Sequence, residues 1–358
     1  MRFLNRFRCV ASSLLALLTV FFWLLTPRVG AAQPFGSWLF VTGGAPSYVE
    51  VAHHASLNPT QRMTIEAWVS LTDANGGNCS SIVGKNWQQS WWVGICDGTL
   101  RSYMNGTNRD GGALPGGVFT HIAVVFTGSR RIHYINGEVA LNVAQPGPLA
   151  TSTSPMRIGS DVQWEFAPSG SIDDVRIWNT ARTQAQIRQT INREPLGTQP
   201  GLVAYYRFQG NVLDSRGSRH GTVVGSQTGF LELPSGAPCV PEIGRLCLQN
   251  RFLVSTQFRT STVPGSPFDG FATTPIASTI ASGILAFPVD DAWQVLANAI
   301  NACTAATPHF TLAITSPSSL FTRTEVYDRQ SGVNRVYFHW PGPPTASILD
   351  TTSFVACP

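Results

Sequence analysis

One short stretch, residues 119–141, constrains the fold of this chain more than any other. It contains two β-rich runs, His121–Phe126 and Arg131–Ile135, then the dipeptide Asn136-Gly137 and a third run, Glu138–Asn142. Asparagine and glycine both tolerate the positive φ angles of a type I′ turn, so this dipeptide predicts a tight hairpin. The stretch therefore predicts three consecutive antiparallel strands.

The middle strand of this stretch has two different faces. Ile132 and Tyr134 fall on one face, whereas Arg131, His133 and Ile135 fall on the other. A strand with two unlike faces is typical of a sheet that packs in a β-sandwich. The pattern predicts a scaffold and indicates no catalytic chemistry by itself.

The first 32 residues have the organisation of a secretory signal. A basic start, MRFLNRFR, precedes the apolar run Val10–Leu25, and the small residues Val29-Gly30-Ala31-Ala32 follow. We expect cleavage after Ala31 or Ala32 and a secreted or cell-surface mature chain. The alternative is an uncleaved membrane anchor, which the length of the apolar run and Trp23 leave open.

Cysteine usage agrees with export. The chain has seven cysteines, and loss of the signal would remove Cys9. The remaining even set predicts disulfides in an oxidising compartment: Cys79, Cys96, Cys239, Cys247, Cys303 and Cys357. Zinc binding by these thiols is disfavoured, because even the nearest pair is too widely spaced for a zinc knuckle.

Three disulfide pairs are expected. Cys79–Cys96 would close a short loop, which the chain-entropy model values at about 3 kcal/mol, and we expect it to hold the Trp87 loop in place. For the other four cysteines we prefer Cys239–Cys357 and Cys247–Cys303, since the first pair would join the ends of the C-terminal part. Three connectivities among these four are open in principle.

Charge and composition narrow the partners and the domain plan. Charged residues make up 12% of the chain and the net charge is +4, which argues against nucleic acid. The run Pro234-Ser235-Gly236-Ala237-Pro238 is typical of a linker. We therefore predict a large domain at 33–233, a linker at 234–238 and a smaller domain at 239–358.

Short β-rich runs separated by turn residues recur through the first domain. Besides the opening triplet they are Trp38–Phe40, Tyr48–Ala52, Met63–Leu71, Ser81–Lys85, Trp91–Ile95, Leu100–Asn105, Met156–Ser160, Ser171–Trp178, Leu202–Phe208 and Thr222–Val224. This spacing predicts a β-sandwich or jelly roll. The one helix candidate is Thr183–Gln189, in which Thr183 can act as the N-cap.

Several of these segments together resemble a known family. They are Thr64–Val69, Met156–Gly159, Gly170–Asn179, Leu202–Phe208 and Asp214–Gly217, with the hairpin unit between the first two. In this order, across residues 35–233, they resemble the laminin G-like, concanavalin A-like jelly-roll family. The resemblance implies an all-β, two-sheet sandwich, which secreted and surface proteins use to bind glycans or proteins, often with calcium.

The same fold also hosts glycoside hydrolases, so the fold alone does not decide the function. Glycosidases need two carboxylates on either side of the bond that is cut, and jelly-roll glucanases carry two glutamates on one strand around an aspartate. This chain has no such spacing. Its adjacent pair Asp173-Asp174 would point to opposite faces of a strand, with one member near a turn and the other in solvent.

The sequence therefore favours a non-enzymatic binding or adhesion module that recognises a glycan or protein surface. It also lacks a Gly-x-Ser-x-Gly elbow and a His-Glu-x-x-His motif. Two alternatives stay open: a glycoside hydrolase with unrecognised carboxylates, and a purely structural surface protein.

Calcium is the one cofactor that the resemblance implies. The family often has Asp before the Tyr of the second strand, whereas Ser47 precedes Tyr48 here. Asp174 and Asp214 are the expected side-chain ligands, with carbonyl oxygens of Thr42–Gly44 as additions. The alternative is that Asp214 only bonds its own backbone in a turn.

Ligand contact is predicted around the segment Asn86–Cys96. Trp91 shares a face with Val93 and Ile95 and is expected in the core, whereas Trp92 faces the other way. Trp87 lies in an amide-rich loop, where an exposed indole can stack on a sugar ring. We predict a site formed by four residues: Trp87, Trp92, Tyr103 and Asn105. The alternative is that these aromatic residues only cover the sheet, and His53-His54 are expected to be exposed without binding metal.

The C-terminal part is predicted to be a second small β-rich domain. Its strand candidates are Phe252–Phe258, Ser282–Phe287, Gln294–Ala297, His309–Thr315, Thr322–Asp328 and Val333–His339. Asp290–Ala302 is also compatible with a helix. This part resembles a cysteine-framed module at the ends of secreted bacterial proteins, for which attachment or spacing is the expected role.

Overall fold

A computed structural model describes most of the chain after residue 35. The described residues are 36–43, 46–71, 79–162, 168–195, 198–226, 228–272, 274–288, 295–302, 304, 308–342 and 347–355. The predicted signal at 1–32, Cys9, Cys303 and Cys357 lie outside these residues. Among the described residues, no helix combines the length and the apolar character that crossing a membrane requires.

The first part of the chain forms two antiparallel sheets. The fifteen strands are β1 (Ser37–Val41), β2 (Tyr48–Val51), β3 (Met63–Leu71), β4 (Cys79–Gly84), β5 (Trp91–Cys96), β6 (Thr99–Met104), β7 (Thr107–Ala113), β8 (Thr120–Phe126), β9 (Arg130–Ile135), β10 (Glu138–Ala144), β11 (Met156–Ile158), β12 (Gly170–Trp178), β13 (Leu202–Tyr206), β14 (Gly221–Val224) and β15 (Gly229–Glu232). One sheet has the order β10-β9-β8-β3-β12-β1-β15, with β13 beside β12, and the other has the order β14-β2-β11-β4-β5-β6-β7. The predicted all-β jelly-roll sandwich is confirmed.

A continuous apolar core lies between the two sheets. It includes Ile65, Val83, Trp91, Val124 and Ile158, all fully buried. Because alternate residues of each strand face inward, the period-two pattern of the sequence places these side chains in one layer.

The opening triplet has the predicted geometry. Asn136 and Gly137 have φ angles of 50° and 75°, as a type I′ turn requires, and β8, β9 and β10 pair in antiparallel order. On the inner face of β9, Arg131 donates to the Ser102 carbonyl at 2.9 Å and His133 bonds the Ser102 hydroxyl at 2.8 Å. This face therefore ties one sheet to the other through polar contacts.

Two strands of the sandwich, β7 and β15, were not predicted, because their sequences do not show alternating apolar residues. The strand β7, TNRDGGA, lies at the edge of its sheet, and β15 is added beside β1. Edge strands are half exposed, so selection for apolar residues on either face is weak. The predicted helix does form, as α1 (Gln184–Thr190), and Thr183 caps it in a full capping box.

The second part of the chain also forms two antiparallel sheets. Its strands are β16 (Arg245–Leu248), β17 (Phe252–Arg259), β18 (Gly270–Phe271), β19 (Thr274–Ser278), β20 (Ser282–Ala286), β21 (Val295–Asn301), β22 (Phe310–Thr315), β23 (Phe321–Asp328), β24 (Asn334–His339) and β25 (Ile348–Asp350). The orders are β16-β17-β23-β24, with β18 beside β17, and β19-β20-β21-β22-β25. The helix allowed for Asp290–Ala302 is wrong for residues 295–301, because Val295, Ala297 and Ala299 alternate inward as a strand. The rest of the second core lies around Val254 and Ile314.

One disulfide agrees with the expectation and another corrects it. Cys79 is bonded to Cys96 across paired strands, with a Cα–Cα distance of 4.2 Å. Cys239 is bonded to Cys247, not to Cys357, so the preferred pairs Cys239–Cys357 and Cys247–Cys303 are wrong. The reason is local: the chain reverses between Glu242 and Arg245, which brings the two sulfurs together over a separation of only 8 residues.

The two parts meet along an aromatic contact that we call the seam. It is built from Trp68, Ile191, Phe321, Phe338 and Trp340. The rings of Trp68 and Phe338 stack at 6.0 Å. The last strand of the first part, β15, ends at Glu232, and the first strand of the second part, β16, begins at Arg245. The predicted linker at 234–238 lies between these two strands.

Candidate ligand-binding site

Four loops meet at one rim of the sandwich, at residues 52–58, 85–90, 105–106 and 146–154. Their side chains hold one another in place. Asn58 donates to the Ser152 carbonyl at 2.9 Å, and the Ser90 hydroxyl donates to the Ala150 carbonyl at 3.0 Å. The rim is therefore a set of fixed loops, which suits a preformed site.

Asn105 belongs to this rim, but in a structural role. Its amide nitrogen donates to the Pro148 carbonyl at 2.9 Å, and its amide oxygen accepts from the Ala150 N–H at 2.7 Å. The side chain was predicted to contact ligand. Both of its polar atoms instead hold the 146–154 loop.

A cavity of about 420 Å³ opens between these loops. It is lined by His53, Ala55, Asn58, Gln89, Thr151, Ser152 and Thr153. The lining side chains carry hydroxyl, amide, imidazole and methyl groups, and none of them is a carboxylate. Such groups can donate and accept hydrogen bonds with sugar hydroxyls.

Lys85 lies behind the wall of this cavity. Its side chain is buried, and its ammonium group bonds His53 Nδ1 at 3.0 Å and donates to the Ser154 carbonyl. Burial lowers the pKa of Lys85 to about 8. Partial desolvation and the charge of Lys85 lower the pKa of His53 as well. His53 and His54 are exposed, as the sequence predicted.

Trp87 stands on the same loop as Gln89 and is half-buried. Its ring lies 5.0 Å from the ring of Tyr103, at an angle of 60°, and Tyr103 is also half-buried. The two rings form an aromatic pair that packs against Trp92 and the Cys79–Cys96 disulfide. Both side chains keep a partly exposed surface, which a sugar ring can contact.

The Trp87 loop is held by a carboxylate and not by the disulfide. Asp161 accepts the backbone N–H groups of Asn86 at 2.9 Å and of Trp87 at 3.4 Å. The Cys79–Cys96 bond lies at the other end of the β4–β5 hairpin, about 17 Å away at the usual rise of a strand. The disulfide therefore does not hold the backbone of this loop directly, but it belongs with Trp92 to the cluster against which the Trp87 side chain packs.

Trp92 also departs from the prediction. Its side chain does lie on the outer face of the sheet, as predicted. However, the side chain is only 2% exposed, and its Nε1 donates to the Ser81 hydroxyl at 2.8 Å. Its ring lies flat over Gly84 and Gly94, where any Cβ would collide with it. Trp92 therefore packs the sheet, and direct stacking on a ligand is not open to it. Trp91 is fully buried in the core, as predicted.

The adjacent aspartates of β12 are both buried, so the expectation that one reaches solvent is wrong. Asp174 has a φ angle of 50° at an irregular point of the β12–β3 pairing, which turns its side chain inward. Its carboxylate accepts the Tyr205 hydroxyl at 2.5 Å and pairs with Arg176 at 3.2 Å. Asp173 accepts the N–H of Asp174 at 2.9 Å. A local bulge explains the difference from simple alternation.

The two expected calcium ligands lie at either end of Tyr205. Asp214 accepts the N–H groups of Tyr205 at 3.0 Å and Arg216 at 2.9 Å, and it pairs with Arg219 at 3.3 Å. Within the described part of the chain, no cluster of three His, Cys, Asp or Glu residues could hold a metal. Gly44, one of the expected carbonyl ligands, lies outside that part. Calcium binding stays a prediction.

Two functional residues of the rim were missed from the sequence. Asp161 has no motif around it, and its role depends on a contact with a loop 74 residues away. Lys85 carried a signal that was available: it is the only lysine among the 24 basic Lys and Arg residues of the chain.

A comparison of the sequence with protein-family models agrees with the jelly-roll fold that the sheet order shows. Residues 43–188 match the family model of the concanavalin A-like lectin/glucanases superfamily, a shorter span than the 35–233 expected. A search among curated proteins found no match.

Solved structures with similar folds come from several organisms. A candidate carbohydrate-binding protein from Bacteroides ovatus has a TM-score of 0.47 and 20% identity, over 55% of this chain and 60% of that one. Less than two thirds of its length therefore has a counterpart here. A heptameric pentraxin from Limulus polyphemus has a TM-score of 0.40 and 16% identity, over 54% of this chain and 96% of that one.

A third structure is the carbohydrate-binding module of a Ruminococcus gnavus sialidase, bound to sialyllactose. It has a TM-score of 0.33 and 15% identity, over 41% of this chain and 91% of that one. All three scores lie below 0.5, so the assignment depends on the family model and the sheet order. Residues 43–188 are similar to the concanavalin A-like lectin/glucanases superfamily by the family model, and the antiparallel two-sheet order agrees with a jelly roll.

Proposed function

We propose that this chain is an exported, non-enzymatic module that binds a glycan at the rim of its jelly roll. The observation that carries the proposal is the contact between two half-buried rings: Trp87, on the loop that also supplies Gln89 to the cavity, and Tyr103 on β6. Aromatic faces beside neutral hydrogen-bonding groups match the apolar faces and hydroxyl edges of a sugar.

The arrangement of carboxylates supports binding rather than hydrolysis. A glycosidase needs two carboxylates that face each other across a cleft. The cavity lining contains no carboxylate, and Asp161, the acid that holds the Trp87 loop, is occupied by two backbone N–H groups. Nothing near the rim therefore supplies an acid–base pair within the described residues.

The test is a glycan array with the mature chain, followed by calorimetry on the strongest binder. Trp87→Ala should weaken binding about thirtyfold, or about 2 kcal/mol, as expected for an aromatic hot spot. Phe271→Ala is the matched control, because Phe271 is 52% exposed and lies on the second part. It should leave binding unchanged.

Two results would contradict the proposal. Equal binding by wild type and Trp87→Ala would remove the site, and release of reducing sugar from the bound glycan would show hydrolysis. Export is checked separately by the mass of the protein recovered from its native host, which should lack the first 31 or 32 residues.

A further inference from the structure

We infer that the rim cavity selects acidic sugars, that is, saccharides that carry a carboxylate, through the positive charge that Lys85 places behind His53. This inference depends on the glycan binding proposed above and specifies its ligand class.

Lys85 is a buried cation without an internal counter-charge. Its two partners, His53 Nδ1 and the Ser154 carbonyl, are neutral acceptors, and it forms no ion pair with a carboxylate of the described residues. An ammonium group has three N–H donors, so these two contacts leave one donor available. Burying a charge without a paired opposite charge is costly, and structure alone would not require it here.

The bond from Lys85 also decides the state of His53. An ammonium group can only donate, so Nδ1 of His53 must accept, and the ring proton must be on Nε2. His53 is exposed and lines the cavity. It therefore presents an N–H donor at the cavity wall, and the lysine behind it strengthens that donor for an anionic acceptor.

Among the residues that the structure describes, none places an opposite charge against Lys85. Six of the seven lining residues carry no ionisable side chain, and the seventh, His53, is neutral when its Nδ1 accepts from Lys85. Asp161, an acid that contacts the same segment, accepts the N–H groups of Asn86 and Trp87 and approaches Gly84. Lys85 follows Gly84 and so leaves the strand on the opposite face. The potential in the cavity is therefore positive, and a carboxylate is the group in sugars that matches it.

Neutral glycans alone would not require this arrangement. A glutamine or a methionine at position 85 would fill the same space without a buried charge. The chain uses arginine at every other basic position, and arginine is the weaker-hydrated choice for burial. A single lysine at this place is consistent with a compact point charge that acts on a small anionic group through a histidine.

The experiment compares carboxylated and esterified probes. Oligogalacturonate, oligoguluronate, a glucuronate-containing heparosan fragment and sialyllactose are each tested beside their carboxyl methyl esters. At least one acid should bind tenfold or more tightly than its ester. Lys85→Met and His53→Ala should each remove that preference while retaining the binding of the ester, and Arg245→Gln, which removes an equal charge from an exposed site on the second part, should not change it.

A second readout uses the wild-type protein, so it does not depend on the folding of a variant. Because Lys85 is the only lysine, labelling with ¹³C-lysine gives one side-chain NMR signal. The acid probe should shift this signal and raise the pKa that it reports, whereas the ester should not raise it.

The outcomes separate the two proposals. Equal, Trp87-dependent binding of acids and esters, with no change in the lysine pKa, would retain glycan binding and overturn the acid preference. Absence of Trp87-dependent binding to all array glycans and these probes would remove the proposed function, and this inference with it.

Discussion

The rim and the seam both combine aromatic rings with cationic side chains, but these side chains have different interaction partners in the two regions. At the seam, Arg188 stacks on Trp340 at 4.5 Å and the Trp340 Nε1 donates to the Asn136 carbonyl at 2.8 Å. At the rim, Trp87 stays half-buried and Lys85 has no carboxylate partner among the described residues. The seam satisfies these groups internally, whereas at the rim the buried charge of Lys85 has no opposite charge beside it among the described residues.

This difference separates stability from binding. Buried and fully partnered aromatic residues contribute mainly to folding, because their surface is already removed from water. Half-buried aromatic residues and uncompensated charges contribute little to folding and are available to a partner. Changes at the seam should therefore lower stability, and changes at the rim should lower affinity.

The largest expected effect is at the centre of the seam. Trp68 is fully buried, donates to the Ile191 carbonyl at 2.9 Å and stacks on Phe338. Trp68→Ala should lower the free energy of unfolding by about 3–5 kcal/mol, as for other buried aromatic residues. Urea unfolding measures this change. Trp87→Ala is the control and should cost less than about 1 kcal/mol, and an equal loss in both variants would contradict the comparison.

Acid should weaken the interior more than the rim. Burial lowers the pKa of His133 and of His339 to about 4, below the ordinary value of 6.5. Their neutral forms favour the folded state, so the full contribution is present above pH 6.5 and is lost as pH falls toward 4. From pH 7 to pH 5 we expect a loss of about 2 kcal/mol per histidine.

The measurement is urea unfolding of wild type and single variants at pH 7 and pH 5. His133→Gln and His339→Gln should each reduce the difference between the two pH values. His53→Gln should change that difference less than either of these variants, because His53 is exposed at the rim. The same acid loss in all four proteins would show that other groups dominate.

Much of the fold was predictable because its signals are local. The Asn136-Gly137 turn, the Thr183 cap and the β-rich run of β3 each depend on neighbouring residues, and each is found where it was expected. The strand β7 was missed because an edge strand needs no apolar face, and the Cys239–Cys247 bond was missed because a tight chain reversal has no clear composition signal.

The site was predictable only in part, since it depends on contacts between distant segments. Alternation placed Trp92 on the outer face correctly, but it did not show that Gly84 and Gly94 let the ring lie flat and buried. The irregular backbone at Asp174 likewise reversed a side-chain direction that a regular strand would have. The bond between Lys85 and His53 spans 32 residues and two loops, and no spacing rule predicts it.

A smaller effect is expected at the edge of the seam, where a buried ion pair joins the two parts. Arg259 donates to Glu138 at 2.7 Å and lies 4.4 Å from the ring of Phe321. Arg259→Met should cost about 2–3 kcal/mol, because it leaves Glu138 buried without its cation. Adding Glu138→Gln to this variant should restore part of the loss. A double variant that is no more stable than Arg259→Met would contradict the pairing.

The smallest effect on stability is expected at Lys85, and its sign is opposite. Burial lowers the pKa of Lys85 from 10.5 to about 8, so the folded state disfavours the charged form. The resulting cost is absent above pH 10.5 and grows as pH falls toward 8. Lys85→Met removes this cost together with the two hydrogen bonds of the ammonium group, so the variant should equal wild type or exceed it by about 1 kcal/mol at pH 7.

This advantage should shrink as pH rises to 10, because wild-type Lys85 then becomes neutral in the folded state. Urea unfolding of both proteins at pH 7 and pH 10 measures the change, with Arg245→Gln as the exposed-charge control. A loss above about 2 kcal/mol for Lys85→Met at pH 7 would show that Lys85 stabilises the rim as the seam residues stabilise the seam. In that case the buried charge of Lys85 would contribute to folding stability. Lys85 would then not fit the distinction between a seam that stabilises the fold and a rim that binds ligand.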